Sequence, residues 1–256
     1  MTTGKRILIC TAVIAGSMVG WMVLSAFVSG AKSLSLSAKD YGNGSKRAAA
    51  AEKKTKPVLS KALGEVGASW GAPVYLQAFK EERLLELWVE PKKGAPYQLL
   101  ETYPIEAASG ELGPKKAEGD RQVPEGFYQV TRGNLNPESR FHLSFNIGYP
   151  NKFDKSHGRT GSFIMVHGGA ASIGCLAMGD PAIEEIYTLV AAALKNGQKS
   201  VPIAIFPFRP TAERLQEAKN NPNYPFWLQL ADGYQFLQAN KRPPRVKISS
   251  KSYSFR

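Results

Sequence analysis

Cysteine and histidine are scarce in this chain of 256 residues, which holds two cysteines and three histidines. Cys10 lies in an apolar N-terminal run, so Cys175 has no partner for a disulfide within the folded part of the chain. The histidines, at positions 142, 157 and 167, and Cys175 follow one another at spacings that match no familiar set of metal ligands. We therefore expect no disulfide scaffold, no metal site and no organic cofactor.

Acidic residues are also few, since 21 Asp and Glu stand against 33 Lys and Arg and leave a net charge of +12. Residues 29–61 hold eight basic and two acidic residues, and residues 241–256 hold six basic residues and no acid. Residues 62–240 hold 17 basic and 19 acidic residues, so the body of the chain is close to neutral. Because nucleic-acid enzymes usually carry a basic face on the folded domain, we expect no nucleic-acid partner. The basic ends instead suit an anionic lipid or wall surface.

No charged residue interrupts the 22 residues 7–28, which follow the basic pair Lys5-Arg6. At about 1.5 Å per residue, a helix of this length crosses a bilayer core. We interpret it as an uncleaved inner-membrane anchor, with residues 1–6 in the cytoplasm and the remainder in the periplasm. Cleavage near the small residues 28–31, which would release a secreted chain, is the alternative. Residues 29–60, rich in Ser, Lys, Ala and Gly, predict a flexible basic linker.

A globular pattern begins near residue 61, and we expect a catalytic domain over 61–210 with a helical extension and a basic tail over 211–256. Alternating apolar residues bounded by turn residues predict strands at 83–89, 97–103, 141–148, 162–167 and 201–206. The apolar face of residues 181–196 predicts a helix, with Asp180 as its N-cap. The 24 Gly and 17 Pro indicate many turns and a mostly β domain with some helix.

The segment that carries chemistry is IMVHGGAASIGCLAMGDPAIEEI, residues 164–186. A predicted strand ends at His167, and a loop rich in Gly and Ala leads to Cys175. A free thiol has a pKa of about 8.5, so a nucleophilic cysteine needs a partner, and His167 can hold the thiolate as an ion pair or take its proton. We expect the thiol to react with iodoacetamide well below pH 8.5. We also expect the Gly168 carbonyl to fix the histidine tautomer, and the amides of Gly174 and Cys175 to face a developing oxyanion.

A His-Gly pair at a strand end, followed by Ser172-Ile173-Gly174-Cys175, resembles the active-site signature of L,D-transpeptidases with a YkuD-type catalytic domain. The short spacing from His167 to Cys175, preceded by FHLSFNIGYPN, HGRTG and GPKKAEGDRQVPEGFY, is similar to the YafK-like branch of that family. The resemblance runs from about residue 83 to 208. Two positions depart from the family pattern: Ile173 stands where a second His is common, and Ala177 stands where Arg or Asn is often found. Both departures concern the acyl acceptor more than the nucleophile.

The resemblance implies a YkuD-type α+β fold, a small barrel or sandwich with the 181–196 helix packed against it, acting on peptidoglycan stem peptides. It implies that the Cys175 thiolate attacks the carbonyl at the L-centre of a diamino acid and forms a thioester. An amine would resolve that thioester to a cross-link or a lipoprotein attachment, and water would hydrolyse it. Related enzymes also include amidases that release a wall-linked lipoprotein, which is a second expected partner.

The fate of the acyl group stays open at this point. Acidic residues that could hold an acceptor ammonium are sparse between residues 156 and 179, so we favour hydrolysis or exchange over cross-linking. A catalytically silent scaffold that binds the wall is the remaining alternative. A serine hydrolase is excluded, because Ser172 would need a triad histidine after it in the chain, and none follows His167.

Four further side chains are candidates for supporting roles. Arg159 and His157, in the loop NKFDKSHGRTG, could bind the carboxylates of a stem peptide, although a solvated loop Arg and an exposed loop His would look the same. His142 could contact substrate, or support the fold from within its strand. Ser172 could orient the site or cap its loop.

Overall fold

A computed structural model of the chain describes residues 44–256. The expected anchor at 7–28 and the first part of the expected linker lie outside the described residues. Within residues 44–256 no helix combines the length and apolarity that a bilayer crossing needs. The described elements are, in chain order, α1 (Gly44–Glu65), β1 (Val74–Phe79), β2 (Leu84–Val89), β3 (Gln98–Pro104), β4 (Ala107–Ala108), β5 (Gly126–Val130), β6 (Leu135–Asn136), β7 (Ser144–Asn146), α2 (Lys152–Ser156), β8 (Met165–His167), β9 (Leu176–Ala177), α3 (Asp180–Lys195), β10 (Val201–Phe206), α4 (Ala212–Glu217), α5 (Tyr224–Asn240), β11 (Val246–Ser249) and β12 (Ser252–Phe255).

Helix α1 corrects the expectation of a flexible linker over 29–60, because residues 44–60 belong to a helix that packs on the domain. Its buried residues recur at every fourth position, namely Ala51, Thr55, Leu59 and Leu63. Residues four apart lie on one face of a helix, so this narrow stripe faces the core while the lysines between face outward. Two of its four residues, Ala51 and Thr55, are small, and lysines lie between them, so the overall composition resembles that of a linker.

The first sheet has the strand order β3-β2-β1-β10-β5, and its only parallel pair in the described chain is β1 with β10. Strands β2, β3 and β10 match the strands expected at 83–89, 97–103 and 201–206 within about a residue. Strand β1 is buried along its whole length. Because both of its faces are covered, its sequence lacks the alternation of apolar and polar residues that would predict a strand.

The second sheet, β4-β9-β8-β7-β6, carries the segment that the sequence marks as reactive. Its strands have two or three residues each, so the strands expected at 141–148 and 162–167 shrink to β7 and β8. Left-handed backbone at His142 (φ +64°) and Phe163 (φ +53°) ends the extended conformation before each strand. Parallel strands β8 and β9 are joined by an eight-residue loop, a short connection that such brief strands can accommodate.

Helix α3 packs against α1 and against strands of both sheets, and its buried residues Ile183, Ile186, Val190 and Leu194 enter the main core. The fold is therefore α+β, as expected, but two further expectations are wrong. Helical residues outnumber strand residues in the described chain, and the two five-stranded sheets stay open instead of closing into a barrel.

A second core lies between the first sheet and helix α5, and it is largely aromatic, with Phe79, Phe127, Phe206, Phe208, Trp227, Tyr234 and Tyr253 among its members. The helical extension expected within 211–256 consists of α4 and α5. The tail expected over 241–256 is instead a β11–β12 hairpin whose Tyr253 ring stacks on that of Phe153 at 4.1 Å. Apolar and polar residues alternate in VKIS and SYSF, so the apolar face of the hairpin packs on the domain. The many basic residues of this segment made the alternation hard to see in the sequence.

Candidate active site

Strand pairing places His167 and Cys175 on the same side of the second sheet. In the parallel pair β8–β9, Val166 lies opposite Leu176 and His167 opposite Ala177. Continuing that register sets Cys175 beside Met165, and the Met165 N–H donates to the Cys175 Sγ over 3.4 Å. Residues two apart in a strand face the same side, so the side chains of His167 and Cys175 share one face.

Both side chains line one cavity of about 810 Å³, whose other lining residues are Asn136, Ser139, Arg140, Phe141, Ser144, Phe163 and Met165. Its walls are largely apolar, and among these lining residues Arg140 carries a charge while none is a carboxylate. The Phe141 ring lies 4.7 Å from the His167 ring. Phe163, one of these lining residues, has 76% of its surface exposed.

His167 is buried and held in one tautomer. Its Nδ1 lies 2.6 Å from the Gly168 carbonyl oxygen, which can only accept, so Nδ1 carries the proton. This confirms the expectation that the Gly168 carbonyl orients the ring, and it leaves Nε2 as the basic nitrogen. Burial lowers the pKa of His167, and the hydrogen bond to Gly168 opposes that shift in part. The imidazole is therefore neutral at neutral pH.

Cys175 is also kept neutral, contrary to the expected acidic thiol. Burial raises the pKa of Cys175, while the Met165 amide and the charge of Lys115 lower it by less. The Sγ also lies 3.8 Å from the Phe163 carbonyl oxygen, in reach as a weak S–H donor. A buried thiol with a raised pKa beside a neutral imidazole indicates activation by proton removal rather than a resting thiolate–imidazolium pair.

The loop that ends in Cys175 is tied down by two serine hydroxyls. The Ser172 Oγ accepts from the Cys175 N–H at 3.1 Å and donates to the Cys175 carbonyl oxygen at 2.6 Å. The Gly174 N–H donates to the Ser109 Oγ at 2.5 Å. These contacts to the Cys175 backbone fit the alternative in which Ser172 caps its loop. The expected oxyanion role of Gly174 and Cys175 does not fit the contacts of this loop, because both amides already have hydroxyl partners within the protein.

Position 168, directly after His167, has no room for a side chain, which is why it holds a glycine. A Cβ at Gly168 would lie 2.6 Å from the Asp180 Oδ1 and 2.8 Å from the Phe141 carbonyl oxygen. The same Asp180 Oδ1 accepts the Gly169 N–H at 2.8 Å. Asp180 was expected to cap α3, but Gly179 holds the N-cap position and the Asp180 carboxylate fixes the His-Gly-Gly turn instead.

A second loop, between β4 and β5, supports the cysteine loop from outside. Ser109 begins it and donates to the Arg121 carbonyl oxygen. Lys115 is buried within it and pairs with Asp120 at 2.5 Å. Burial would raise the pKa of Asp120, but hydrogen bonds from the Ala117 amide and from Lys115, among others, lower it to about 2. Sequence patterns gave no signal for Ser109, because it lies 65 residues before its partner Gly174.

Two of the expected substrate-binding residues serve the fold instead. Arg159 pairs with the buried Asp154 at 2.8 Å and lies over the Phe153 and Phe226 rings. The His157 Nδ1 lies 2.9 Å from the Phe153 carbonyl oxygen. Neither residue lines the cavity, so the structure gives no support to the expectation that they bind substrate there. A polar loop residue can point inward to satisfy a buried carboxylate, and sequence alone does not show this.

His142 also lies outside the cavity lining. Its Nε2 is 2.9 Å from the Glu184 Oε1, and Lys54 of α1 pairs with the other oxygen of that carboxylate at 2.6 Å. His142 therefore joins the segment before β7 to α3 and, through Glu184, to α1. This fits the alternative in which His142 supports the fold. In the described part of the chain, no three His, Cys, Asp or Glu side chains cluster closely enough to hold a metal ion.

Residues 73–205 match the family model of the YkuD L,D-transpeptidase catalytic domain. The chain is 46% identical over 183 residues to the protein named "Putative L,D-transpeptidase YafK" from Escherichia coli K12, a match that covers 72% of this chain and 74% of that protein. The YafK protein of Escherichia coli O157:H7 matches to the same extent.

Two solved structures share a more distant likeness. The helical cell shape determining protein Pgp2 from Campylobacter jejuni is 20% identical, with a TM-score of 0.43 over 75% of this chain and 80% of that one. Bd1075 from Bdellovibrio bacteriovorus is 20% identical, with a TM-score of 0.38 over 65% of this chain and 58% of that one.

Proposed function

This chain belongs to the family of YkuD L,D-transpeptidase catalytic domains, and from that premise we propose that it transfers acyl groups of peptidoglycan stem peptides through a thioester on Cys175. One observation carries the proposal. The thiol of Cys175 and the imidazole of His167 line the same largely apolar cavity, and the Gly168 carbonyl leaves Nε2 of that imidazole free to act as a base.

The proposed reaction begins with both groups neutral. The His167 Nε2 removes the Sγ proton as the sulfur bonds to the substrate carbonyl carbon, which gives a tetrahedral intermediate and an imidazolium. The imidazolium then donates its proton to the leaving amine nitrogen as the carbon–nitrogen bond breaks. The products are a Cys175 thioester, a free amine and a neutral imidazole. Attack by water or by a second amine, with His167 again taking the proton, returns the free thiol.

The cavity lining supports a substrate with carboxylates and short apolar segments. Arg140 can pair with a carboxylate of the stem peptide, since a guanidinium binds carboxylates through parallel hydrogen bonds. Phe141, Phe163 and Met165 provide apolar contacts for alanyl methyl groups and the methylene chain of a diamino acid. Their low polarity also strengthens electrostatic interactions with the reacting groups, because water is partly excluded.

We further propose that hydrolysis or exchange prevails over cross-linking. Transfer to an amine in competition with water, present at about 55 M, requires an acceptor bound and oriented at the thioester. An acceptor ammonium would be held by a carboxylate, and none of the residues that line the cavity carries one. This observation favours an amidase that releases a peptide or lipoprotein linked to the diamino acid. We place this activity outside the cytoplasm, at an inner membrane to which residues 7–28 would anchor the chain.

The proposal is tested by trapping the acyl-enzyme. A Cys10→Ser background leaves Cys175 as the sole thiol of the chain. After incubation with tetrapeptide muropeptides, intact mass and peptide mapping should show an acyl adduct on Cys175 that hydroxylamine removes. His167→Ala should slow adduct formation, and Cys175→Ala should abolish it.

Three outcomes separate the candidate activities. Release of a lysine-linked peptide without new dimers supports the amidase. Accumulation of dimers joined through two diamino acids, with little hydrolysed product, would return the chain to transpeptidation. The wild type could instead give no adduct and no product, while Cys175→Ala binds muropeptides as the wild type does. That result would leave only the wall-binding scaffold.

A further inference from the structure

The C-terminal hairpin places two arginines directly opposite each other. Arg245 and Arg256 exchange both backbone hydrogen bonds, at 2.9 and 3.2 Å, in the register that continues the Val246–Phe255 pair. Side chains of such a pair lie on the same face of the ladder and within about 5.5 Å at Cβ. Like charges at this spacing repel, so the pair costs stability unless something negative lies between or above it.

Two more basic side chains gather at the same place. Lys247 lies two residues from Arg245 in the extended chain and so shares its face, whereas Val246, Ile248, Tyr253 and Phe255 form the opposite, apolar face. Arg242 precedes the hairpin, and its guanidinium donates to the Gly94 carbonyl oxygen. All four basic residues are exposed.

Acidic partners for these charges are almost absent. Residues 241–256 contain no Asp or Glu. Within residues 44–256, no carboxylate lies at ion-pair distance from Arg245, Lys247 or Arg256. Glu90 lines the same cavity as these basic side chains, where it accepts the Gly94 N–H at 2.8 Å in the turn between β2 and β3. Four basic side chains against this one side-chain carboxylate leave the group with a net positive charge.

The four basic residues line a concave site. A cavity of about 780 Å³ lies between the hairpin and the ends of β3, β5 and β10. Its apolar walls include Tyr97, Pro202 and Phe236. None of its lining residues lines the cavity of Cys175, so this site is separate from the proposed active site.

We propose that this basic cavity binds the phosphate ester of an anionic lipid head group. A phosphodiester offers several acceptor oxygens to guanidinium forks and would place a negative charge between Arg245 and Arg256. The apolar walls suit the glycerol and first acyl carbons next to that phosphate, which free phosphate lacks. Juxtamembrane basic clusters are attracted to anionic lipid surfaces, and the exposed position of this cluster allows such an approach.

The test uses the full chain held in amphipol and titrated with short-chain phosphatidylglycerol, short-chain phosphatidylcholine and inorganic phosphate, with binding followed by calorimetry. The variant Arg245→Gln/Arg256→Gln removes the opposed charges. Lys53→Gln/Lys61→Gln, on the exposed face of α1, removes two positive charges elsewhere and is the matched control. We expect phosphatidylglycerol to bind the wild type and the control alike, and to lose roughly tenfold or more in affinity for the arginine variant.

A thermal melt without lipid keeps the result interpretable. The arginine variant should melt at or above the wild-type temperature, because removal of a like-charge pair relieves repulsion, and a folded variant that has lost the lipid supports the proposal. The proposal is overturned if the arginine variant and the control bind phosphatidylglycerol equally. It is also overturned if the wild type binds phosphatidylcholine or inorganic phosphate as tightly as phosphatidylglycerol.

Discussion

The ionisation state of Cys175 leads to a prediction that separates two ways of activating a thiol. Burial raises the pKa of Cys175 and lowers that of His167, so neither group is charged at neutral pH. An ordinary thiol with a pKa of about 8.5 is roughly 3% thiolate at pH 7, and a raised pKa gives less. The alkylation rate at pH 7 should therefore be below about 3% of its alkaline plateau, with a midpoint above pH 8.5.

Replacing His167 by Ala then has different effects on alkylation and on turnover. Because the imidazole is neutral wherever the thiol ionises, its removal takes no positive charge away from the thiolate. The normalised alkylation profile of His167→Ala should match that of the wild type. Turnover should fall by roughly 10²–10⁴-fold, as expected when a general base is lost.

The pH dependence of turnover reports the ionisation of His167. Because the pKa of His167 is lowered, it lies below the ordinary value of 6.5. The imidazole is an unprotonated base above its pKa, and it becomes protonated and inactive as the pH falls through that pKa. Turnover should therefore rise with pH through a midpoint below pH 6.5 and stay on its plateau to pH 8.

Iodoacetamide alkylation is measured by intact mass in the Cys10→Ser background, and turnover with muropeptides. His142→Ala is the matched control, because it removes a histidine that lies outside the cavity. It should change neither profile. A wild-type midpoint below pH 8.5 that moves upward in His167→Ala would refute this reasoning and establish a resting ion pair.

Three further predictions concern packing around the site and in α1. Phe141→Ala should let water reach His167, raise the imidazole pKa toward its ordinary value and move the acidic limb of the turnover profile to higher pH. Ser109→Ala should lower kcat roughly five-fold without a matching change in KM, since a lost hydrogen bond is worth about 1 kcal/mol, and Ser109→Thr should restore it. Leu59→Ala, by chemical denaturation, should cost about 2–5 kcal/mol of unfolding free energy, whereas Val58→Ala, at an exposed position, should change it by less than about 0.5 kcal/mol.

Local sequence predicted that His167 and Cys175 would lie together, because one short loop joins them, and both do line one cavity. His167 and Cys175 are eight residues apart, and the Gly168 carbonyl that orients the imidazole belongs to the next residue. A chain segment this short offers few geometries, so residue types and spacing together indicate the chemistry. The hydroxyl of Ser172, three residues before the cysteine, was within the same reach.

Contacts between distant segments were not predictable in this way. Ser109 meets the cysteine loop only after the β4–β5 loop folds over it, and Asp180 holds the glycine turn although its position next to a helix suggested a cap. Arg159 lies in a polar loop, yet it points inward to the buried Asp154. In each case the partner is chosen by the tertiary fold, which a residue pattern does not contain.

The hidden helix α1 was missed for a related reason. Its buried stripe contains Ala51 and Thr55 besides two leucines, and its other faces carry lysines. Small residues contribute little to apolar periodicity, yet they let α1 approach α3 closely. The neutral state of Cys175 was likewise not visible in the sequence, because burial is a property of the folded site.

The early start of α1 would limit how far the folded domain could reach from a membrane, if residues 7–28 anchored the chain there. If residues 7–28 crossed a bilayer, fifteen residues, 29–43, would separate the crossing from the packed helix. At no more than about 3.6 Å per residue, these fifteen residues would extend at most about 54 Å. A linker over residues 29–60 would extend about 115 Å. The volume within reach of the anchor varies with the cube of the tether length, so halving that length reduces the volume roughly eightfold. Each molecule would then act on a thin layer of wall next to its own anchor. Wall beyond that layer would be reached only by molecules released from the membrane.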